Sequence, residues 1–238
     1  MIQSFFHTVF YVPMYNILVF LVDSIPGGNI GLAVVILTIL VKLALFPLSQ
    51  KSVTTQAKMR KIEPEMKAIK EKYKNQQEQA QKVMELYKTH NLNPFSGCFL
   101  ILLQLPVIFA LYYVFLNGFK FDAKILYSFV HLPLSVDSYF LGINLLEKSV
   151  VLAAIAGISQ YYQLRFAMPA ITPREQGKTL SFQEEFTRNM SVQMKYIFPV
   201  MVFFISYTIS SAIALYWIVS NVFAILQELY VRKLAEKK

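Results

Sequence analysis

Lys42 is the residue whose position most demands a chemical explanation. It stands inside the apolar run 30–48, with twelve residues of that run before it and six after. An ammonium at the centre of a lipid-embedded helix costs about 2.5–3.5 kcal/mol on insertion scales. Two readings fit. The long side chain can snorkel toward head groups about 9 Å further along the helix, or the charge can face a water-filled cavity between helices. Amides and hydroxyls recur in the other apolar runs: Gln104 in one, Gln160 and Gln163 in the next, and Ser206, Ser210, Ser211 and Asn221 near the end of the chain. Singly, such groups usually bond a neighbouring helix. Their spread over four runs, beside one unpaired cation, points to a shared polar groove.

Other chemistries find little support. No Asp or Glu lies in the middle of an apolar run, and Glu228 comes only near the end of the last one. Ion-coupled transport generally relies on membrane-embedded acids or broken helices, so a small transporter or channel with a cationic intramembrane site is the second reading. Cys98 is the only cysteine, which excludes an intramolecular disulfide or a cysteine-based zinc site. His7 and His131 are expected on one side of the membrane and His90 on the other, so no catalytic cluster assembles. The expectation is a protein without enzymatic activity, cofactor or metal.

These residues need membrane helices to hold them. The chain is 55% hydrophobic and 16% charged, against about a quarter charged in soluble domains. A bilayer core needs roughly 20 apolar residues per helical crossing. The pattern predicts an all-α polytopic membrane protein with five transmembrane helices, a cytoplasmic antiparallel helical hairpin and an N-terminal interfacial helix. The crossings are expected at 30–48, 95–116, 149–168, 196–207 and 211–230. Between them lie an outer-face amphipathic segment (1–29), the hairpin (49–94), an outer loop (117–148), an inner loop (169–195) and a tail (231–238). The fourth crossing is about 12–14 residues, or about 20 Å, and should thin the bilayer around it. In segment 2–22, Ser4, His7, Thr8, Tyr11 and Tyr15 share one helical side and Pro13 interrupts the run. A helix on the membrane surface is therefore preferred there to a further crossing.

Charge orients the chain. The net charge is +9, and the basic residues sit in alternate connecting segments. Residues 1–29 hold no Lys or Arg, 51–93 hold ten, 117–148 three, 165–195 five, and the tail four. Basic segments stay in the cytoplasm, which places the N-terminus outside and the C-terminus inside. The same distribution explains the charge without nucleic acid. Residues 1–29 also lack the basic region of a secretory leader, and no transit peptide is seen. A bacterial plasma membrane is the expected location.

The basic segment 49–94 has helical periodicity. Met59, Ile62, Met66, Ile69 and Tyr73 form one stripe, continued by Ala80, Val83 and Tyr87 after a polar break at 75–77. Two such helices bury their stripes against each other as a hairpin. Pro64 is expected to bend the first helix without ending it. The other face carries Lys58, Arg60, Lys61, Lys67, Lys70, Lys72 and Lys74. It is either a solvated surface that fixes topology or a contact face for anionic lipid head groups, ribosome or nascent chain.

Four stretches together resemble the Oxa/Alb/YidC family of membrane protein insertases: PMYNILVFLVDSIPGGNIGLAVVILTILVKLALFPLSQ, QAKMRKIEPEMKAIKEKY, MELYKTHNLNPFSGCFLILLQLPVIFALYYVF and ALYWIVSNVFAILQ. The resemblance is to bacterial members without a large outer domain. It implies five crossings, a cytoplasmic hairpin, and a groove open to the cytoplasm and to lipid but closed toward the outside. The family carries a basic residue in that groove, usually Arg; here the matching residue is Lys42, which keeps the charge but not the planar fork. Gln104 and Trp217 match groove or near-groove positions, and Gln160 and Gln163 both fall near the family's third-span glutamine. Ser210 and Ala212 stand where relatives often have Pro and Gly. The implied partners are nascent membrane proteins, with the ribosome and a Sec translocon beside them. The implied mechanism is physical: a substrate's short polar tail enters the groove, Lys42 offsets part of its desolvation cost, and the apolar helix leaves sideways into lipid.

Overall fold

The computed structural model describes residues 2–73, 75–93, 96–116, 121–168 and 182–236, with backbone alone at 2–3, 70, 76, 96–103, 182–184, 186–187 and 235–236. Lys74 lies outside the described residues, as do the side chains of Lys70 and Cys98.

The N-terminal segment is one long helix built of α1 (Ile2–Phe6), a π-helical turn at His7–Tyr11 and α2 (Val12–Ser24). Its stretch Ser4–Ser24 is long and apolar enough to cross a membrane. Pro13 does not interrupt it. Proline lacks an N–H and crowds the preceding turn, and the wider π turn directly before it gives that ring room. Of the expected polar side, Ser4, His7 and Thr8 are exposed, but its second half is turned inward. Tyr11 and Tyr15 are buried, and the Tyr15 hydroxyl accepts the Asp122 N–H. Asn16, also buried, donates to the Val12 and Ile125 carbonyls at 2.8 and 3.0 Å and accepts the Tyr127 N–H at 2.6 Å. Phe5, Val9, Ile17 and Phe20 are exposed. The helix is thus apolar on its outward side and pinned to the 121–149 loop on its inward side.

Asn29 caps α3 (Ile30–Ala44) by accepting the Leu32 N–H at 3.0 Å. The run expected to continue to residue 48 stops at Ala44, and α4 (Phe46–Lys61) departs at 68°. Pro47, in the first turn of α4, has no donor to continue α3 and is tolerated where helical donors are free anyway. A second break follows at Ile62 (φ −89°, ψ 2°), after which α5 (Glu63–Lys72) begins with Pro64 in its first turn. Pro64 therefore starts a new helix, where only a bend was expected. After a short turn, α6 (Gln76–Thr89) returns antiparallel to α5: the Tyr87 hydroxyl donates to Met66 Sδ at 3.1 Å, and His90 lies 3.4 Å from Glu65. Burial pushes the Tyr87 phenol above its ordinary range.

The remaining helices are α7 (Ser96–Leu116), α8 (Val150–Ala167), α9 (Phe182–Val192), α10 (Phe198–Thr208) and α11 (Ser211–Glu236). A π-helical turn at Gln193–Ile197 fuses α9 to α10 just before Pro199, as the earlier one does before Pro13. The crossing expected at 196–207 is thus no short helix. Arg188–Thr208 is 21 residues long and apolar enough to span, about 31 Å at 1.5 Å per residue, and the expected bilayer thinning loses its basis. The expected tail is helical as far as Glu236. Among the described residues, three helices are long and apolar enough to cross a membrane, or four if α3 and α4 form one broken span. Gln160, Tyr161, Tyr162, Gln163 and Arg165 dilute the second half of α8, which is not among them. That helix packs its small face, Ala153, Ala156 and Gly157, against α10 and α11. A Cβ on Gly157 would lie 3.1 Å from the Pro199 carbonyl oxygen.

One departure from an all-helical chain is the two-stranded hairpin β1 (Tyr139–Phe140) and β2 (Ile143–Asn144). Its two-residue turn places Leu141 at φ +50° and Gly142 at φ +80°. A left-handed leucine costs roughly 1–2 kcal/mol. The surrounding loop closes one end of the bundle through helix starts, whose first N–H groups have no partner within the helix. Ile30 N–H donates to the Asp137 carbonyl at 2.9 Å, Ser211 N–H to Glu147 at 2.9 Å, and Ala212 N–H to Leu145 at 3.1 Å. A Cβ on Gly28 would lie 1.9 Å from Ser135 O, so only glycine allows that contact. Beneath the loop sits the apolar core, including Leu18, Val22, Ile30, Leu37, Leu111, Leu145 and Val202.

Candidate functional site

Lys42 sits in the last turn of α3, where the negative end of the helix dipole favours a cation. It is half-buried, and its Nζ donates to Gln104 Oε1 at 3.1 Å. Gln104 Nε2 donates in turn to the Tyr216 hydroxyl, which is buried and also reaches the Ser220 side chain one turn further along α11. A chain of polar groups therefore runs across α3, α7 and α11 inside an otherwise apolar bundle. Pro106 removes one backbone donor from α7 within a turn of Gln104. An ammonium has three donors. Gln104 takes one, and among the described residues no carboxylate lies within ion-pair distance of Lys42. The other donors are available to water or to an anionic guest.

The other residues singled out in the sequence fall into separate groups. Asn221 donates to Ser159 Oγ at 3.0 Å, joining α11 to α8, and Ser159 donates to the Ala156 carbonyl at 2.8 Å. Gln160, buried, donates to Gln163 Oε1 at 3.0 Å within α8. Neither glutamine bonds Lys42 or Gln104. Ser206 and Ser210 are buried, and neither hydroxyl has a hydrogen-bond partner among the described residues. Trp217 is buried in the core beside Tyr216, about 100° further round α11. The side chain that meets Gln104 is thus that of Tyr216. A sequence signal for it existed: Tyr216 and Ser220 are four residues apart, on one face of the helix.

A third polar cluster caps the far end of α8. Arg60 donates through Nη2 to the Phe166 carbonyl and, at 2.7 Å, to that of Met168. Arg232 donates to the same Phe166 carbonyl through Nη2 and, through Nε at 3.0 Å, to the buried Glu228. Two guanidiniums thereby satisfy the unpaired carbonyls and the negative dipole end of one helix. Nearby, Gln227 donates to Ser49 Oγ at 2.8 Å, tying α11 to α4. Arg60 consequently leaves the basic contact face expected of the hairpin, because backbone carbonyls on α8 draw it inward. Lys58, Lys61, Lys67 and Lys72 stay exposed. Lys67 is 3.5 Å from Glu63, and Lys72 lies over the Tyr73 ring at 5.6 Å.

The sequence profile of the family described as 60Kd inner membrane protein matches residues 21–238. The Membrane protein insertase YidC of Wolinella succinogenes is 34% identical over 212 residues, covering 89% of this chain and 35% of that protein. The Membrane protein insertase YidC of Fusobacterium nucleatum subsp. nucleatum is 32% identical over 209 residues, covering 87% of each. In fold, the chain is similar to a structure solved as "Active YidC insertase crystal structure with the first transmembrane domain resolved", with a TM-score of 0.59 at 23% identity over 93% of this chain and 45% of that one. The chain therefore spans most of the Fusobacterium relative but less than half of the other two proteins.

Proposed function

The chain belongs to the 60Kd inner membrane protein family, and from that premise we propose that it is a membrane protein insertase and chaperone. It is a multi-pass protein of a bacterial inner membrane. The observation that carries the functional reading is the Lys42–Gln104–Tyr216 chain, a polar path through three helices of an apolar bundle. A short, hydrated substrate tail loses water when it enters lipid. Lys42 returns part of that solvation, most strongly for a tail with carboxylates. Gln104 and Tyr216 stand beside Lys42 in the proposed groove, and Gln160, Gln163, Ser206, Ser210, Asn221 and Trp217, which form separate groups in the bundle, are its further candidate lining. The substrate's apolar helix then moves sideways into lipid, and its transfer, about 0.8 kcal/mol per buried CH₂, drives the process.

In this reading α3, α7, α8, α10 and α11 are the five crossings, and the α5–α6 hairpin stands in the cytoplasm. The N-terminus is outside and the C-terminus inside, in keeping with the basic residues of 51–93 and their absence from 1–29. The exposed lysines of the hairpin, with Lys70 and Lys74, form a contact face for anionic head groups, the ribosome or a nascent chain. A Sec translocon is a further proposed partner. The test is reconstitution: the purified chain in liposomes should insert a small single-span protein with an acidic tail, read by protease protection. No insertion above empty liposomes overturns the proposal.

A further inference from the structure

The 121–149 loop exposes apolar side chains that a water-facing loop would hide. Phe129 is 67% exposed, Leu134 103% and Leu141 88%, with Leu132, Val136 and Tyr139 also exposed. Between residues 125 and 146 the one Asp, Glu, Lys or Arg is Asp137, and His131 is the one histidine. Its carboxylate is turned inward, accepting from Asn29 Nδ2 at 2.9 Å and from the Tyr139 N–H at 2.9 Å. The hairpin turn holds Leu141 outward in a backbone conformation that leucine rarely adopts. The loop is also fixed in depth, because its carbonyls cap the first turns of α3 and α11. It therefore lies where membrane helices begin. Its apolar surface continues without a break onto α2: a cavity of about 240 Å³ is lined by Asn16, Ile17, Phe20, Tyr127, Phe129 and Val130.

We infer that this loop, together with the outward side of α2, is seated in the lipid leaflet at that end of the bundle, with Leu134 and Leu141 reaching the boundary of head groups and acyl chains. Continuity with the exposed apolar side chains of α2, a helix long and apolar enough to cross a membrane, the lack of exposed Asp, Glu, Lys or Arg and the fixed depth all select lipid as the occupant. Large exposed apolar patches mark contact with a membrane or a protein, and tyrosine beside leucine suits the membrane interface, where one end of the ring stays wet.

Single cysteines at Leu134, Leu141 and, as a reference, Lys82 on the α6 surface test this, each in a Cys98→Ser background and labelled with an environment-sensitive nitrobenzoxadiazole dye in proteoliposomes. The dyes at 134 and 141 should emit at shorter wavelength than at 82. Lipids with a nitroxide near the head group should quench them strongly, and aqueous iodide only weakly. Iodide quenching equal to that at position 82 places the loop in water and overturns the inference. Shielding from both quenchers means that protein covers the loop, and overturns it equally.

Discussion

A lysine bonded to an amide instead of a carboxylate keeps its full charge available. In the proposed mechanism Lys42 offers that charge to a tail entering beside Gln104, so its three simplest variants separate charge from shape. Lys42→Ala should slow insertion of an acidic-tailed substrate roughly fivefold to tenfold, about 1–1.4 kcal/mol on the barrier. Lys42→Arg should retain insertion, and Lys42→Glu should fall below Ala by repelling the tail. Equal rates for all three in the liposome assay would leave Lys42 a snorkelling residue. Tyr216→Phe removes the acceptor of Gln104, and the loss of one buried hydrogen bond should lower stability by about 0.5–1.5 kcal/mol, read as earlier unfolding in detergent. At this scale Lys42 and Gln104 were legible, because a cation and an amide stand out in an apolar run. Tyr216 was less so: its one signal is the four-residue spacing to Ser220, and tyrosine in an apolar run reads as packing. Arg60 was also hidden: its acceptors are backbone carbonyls on α8, more than a hundred residues away, and carbonyls leave no trace in a sequence.

The helices end and continue for reasons that hydrophobic periodicity does not record. Pro13 and Pro199 each follow a π turn, and the helix passes through both. Pro47 and Pro64 each open a new helix. The same residue type reads identically in all four places, which is why the length of the fourth crossing and the continuity of α4 with α5 were misjudged while the existence of most helices was plain. Pro64→Ala restores the missing donor. It should let α4 and α5 join across Ile62, seen as a narrower distance distribution between spin labels on α4 and α6. Gly157 sets how closely α8 approaches α10. Gly157→Val would drive a branched side chain into Pro199 and Phe203, with an expected loss of about 1–3 kcal/mol, as for overpacking generally. Thermal unfolding in detergent reads that loss directly.

For the molecule as a whole, charge was the most legible feature, because Lys and Arg counts need no knowledge of packing. The loop from 121 to 149 was the least legible. Its depth comes from carbonyls that accept from the first N–H groups of α3 and α11, and the sequence showed only a connecting segment. Topology is tested by cysteines at Ser4 and Lys74 with an impermeant thiol reagent on intact cells. Position 4 should label and position 74 should not; the reverse pattern would invert the protein in the membrane.

The knot at the end of α8 bears on forces. The α4 helix is held at both ends, by its joint to α3 at Leu45 and by Arg60 on the carbonyls of Phe166 and Met168. Over the fifteen residues from Phe46 to Arg60 it behaves as a strut about 22 Å long. It is not a free hinge. A force on the α5–α6 hairpin cannot swing α4 away from the bundle without first breaking those bonds. One path for that load runs through Arg60 to the end of α8 and the Arg232 of α11 that shares its carbonyl, and another through Ser49 and Gln227. Lys42, on the far side of the 68° bend, is shielded from the strain. The geometry thus separates the part of the molecule that is pulled from the part that holds the charge.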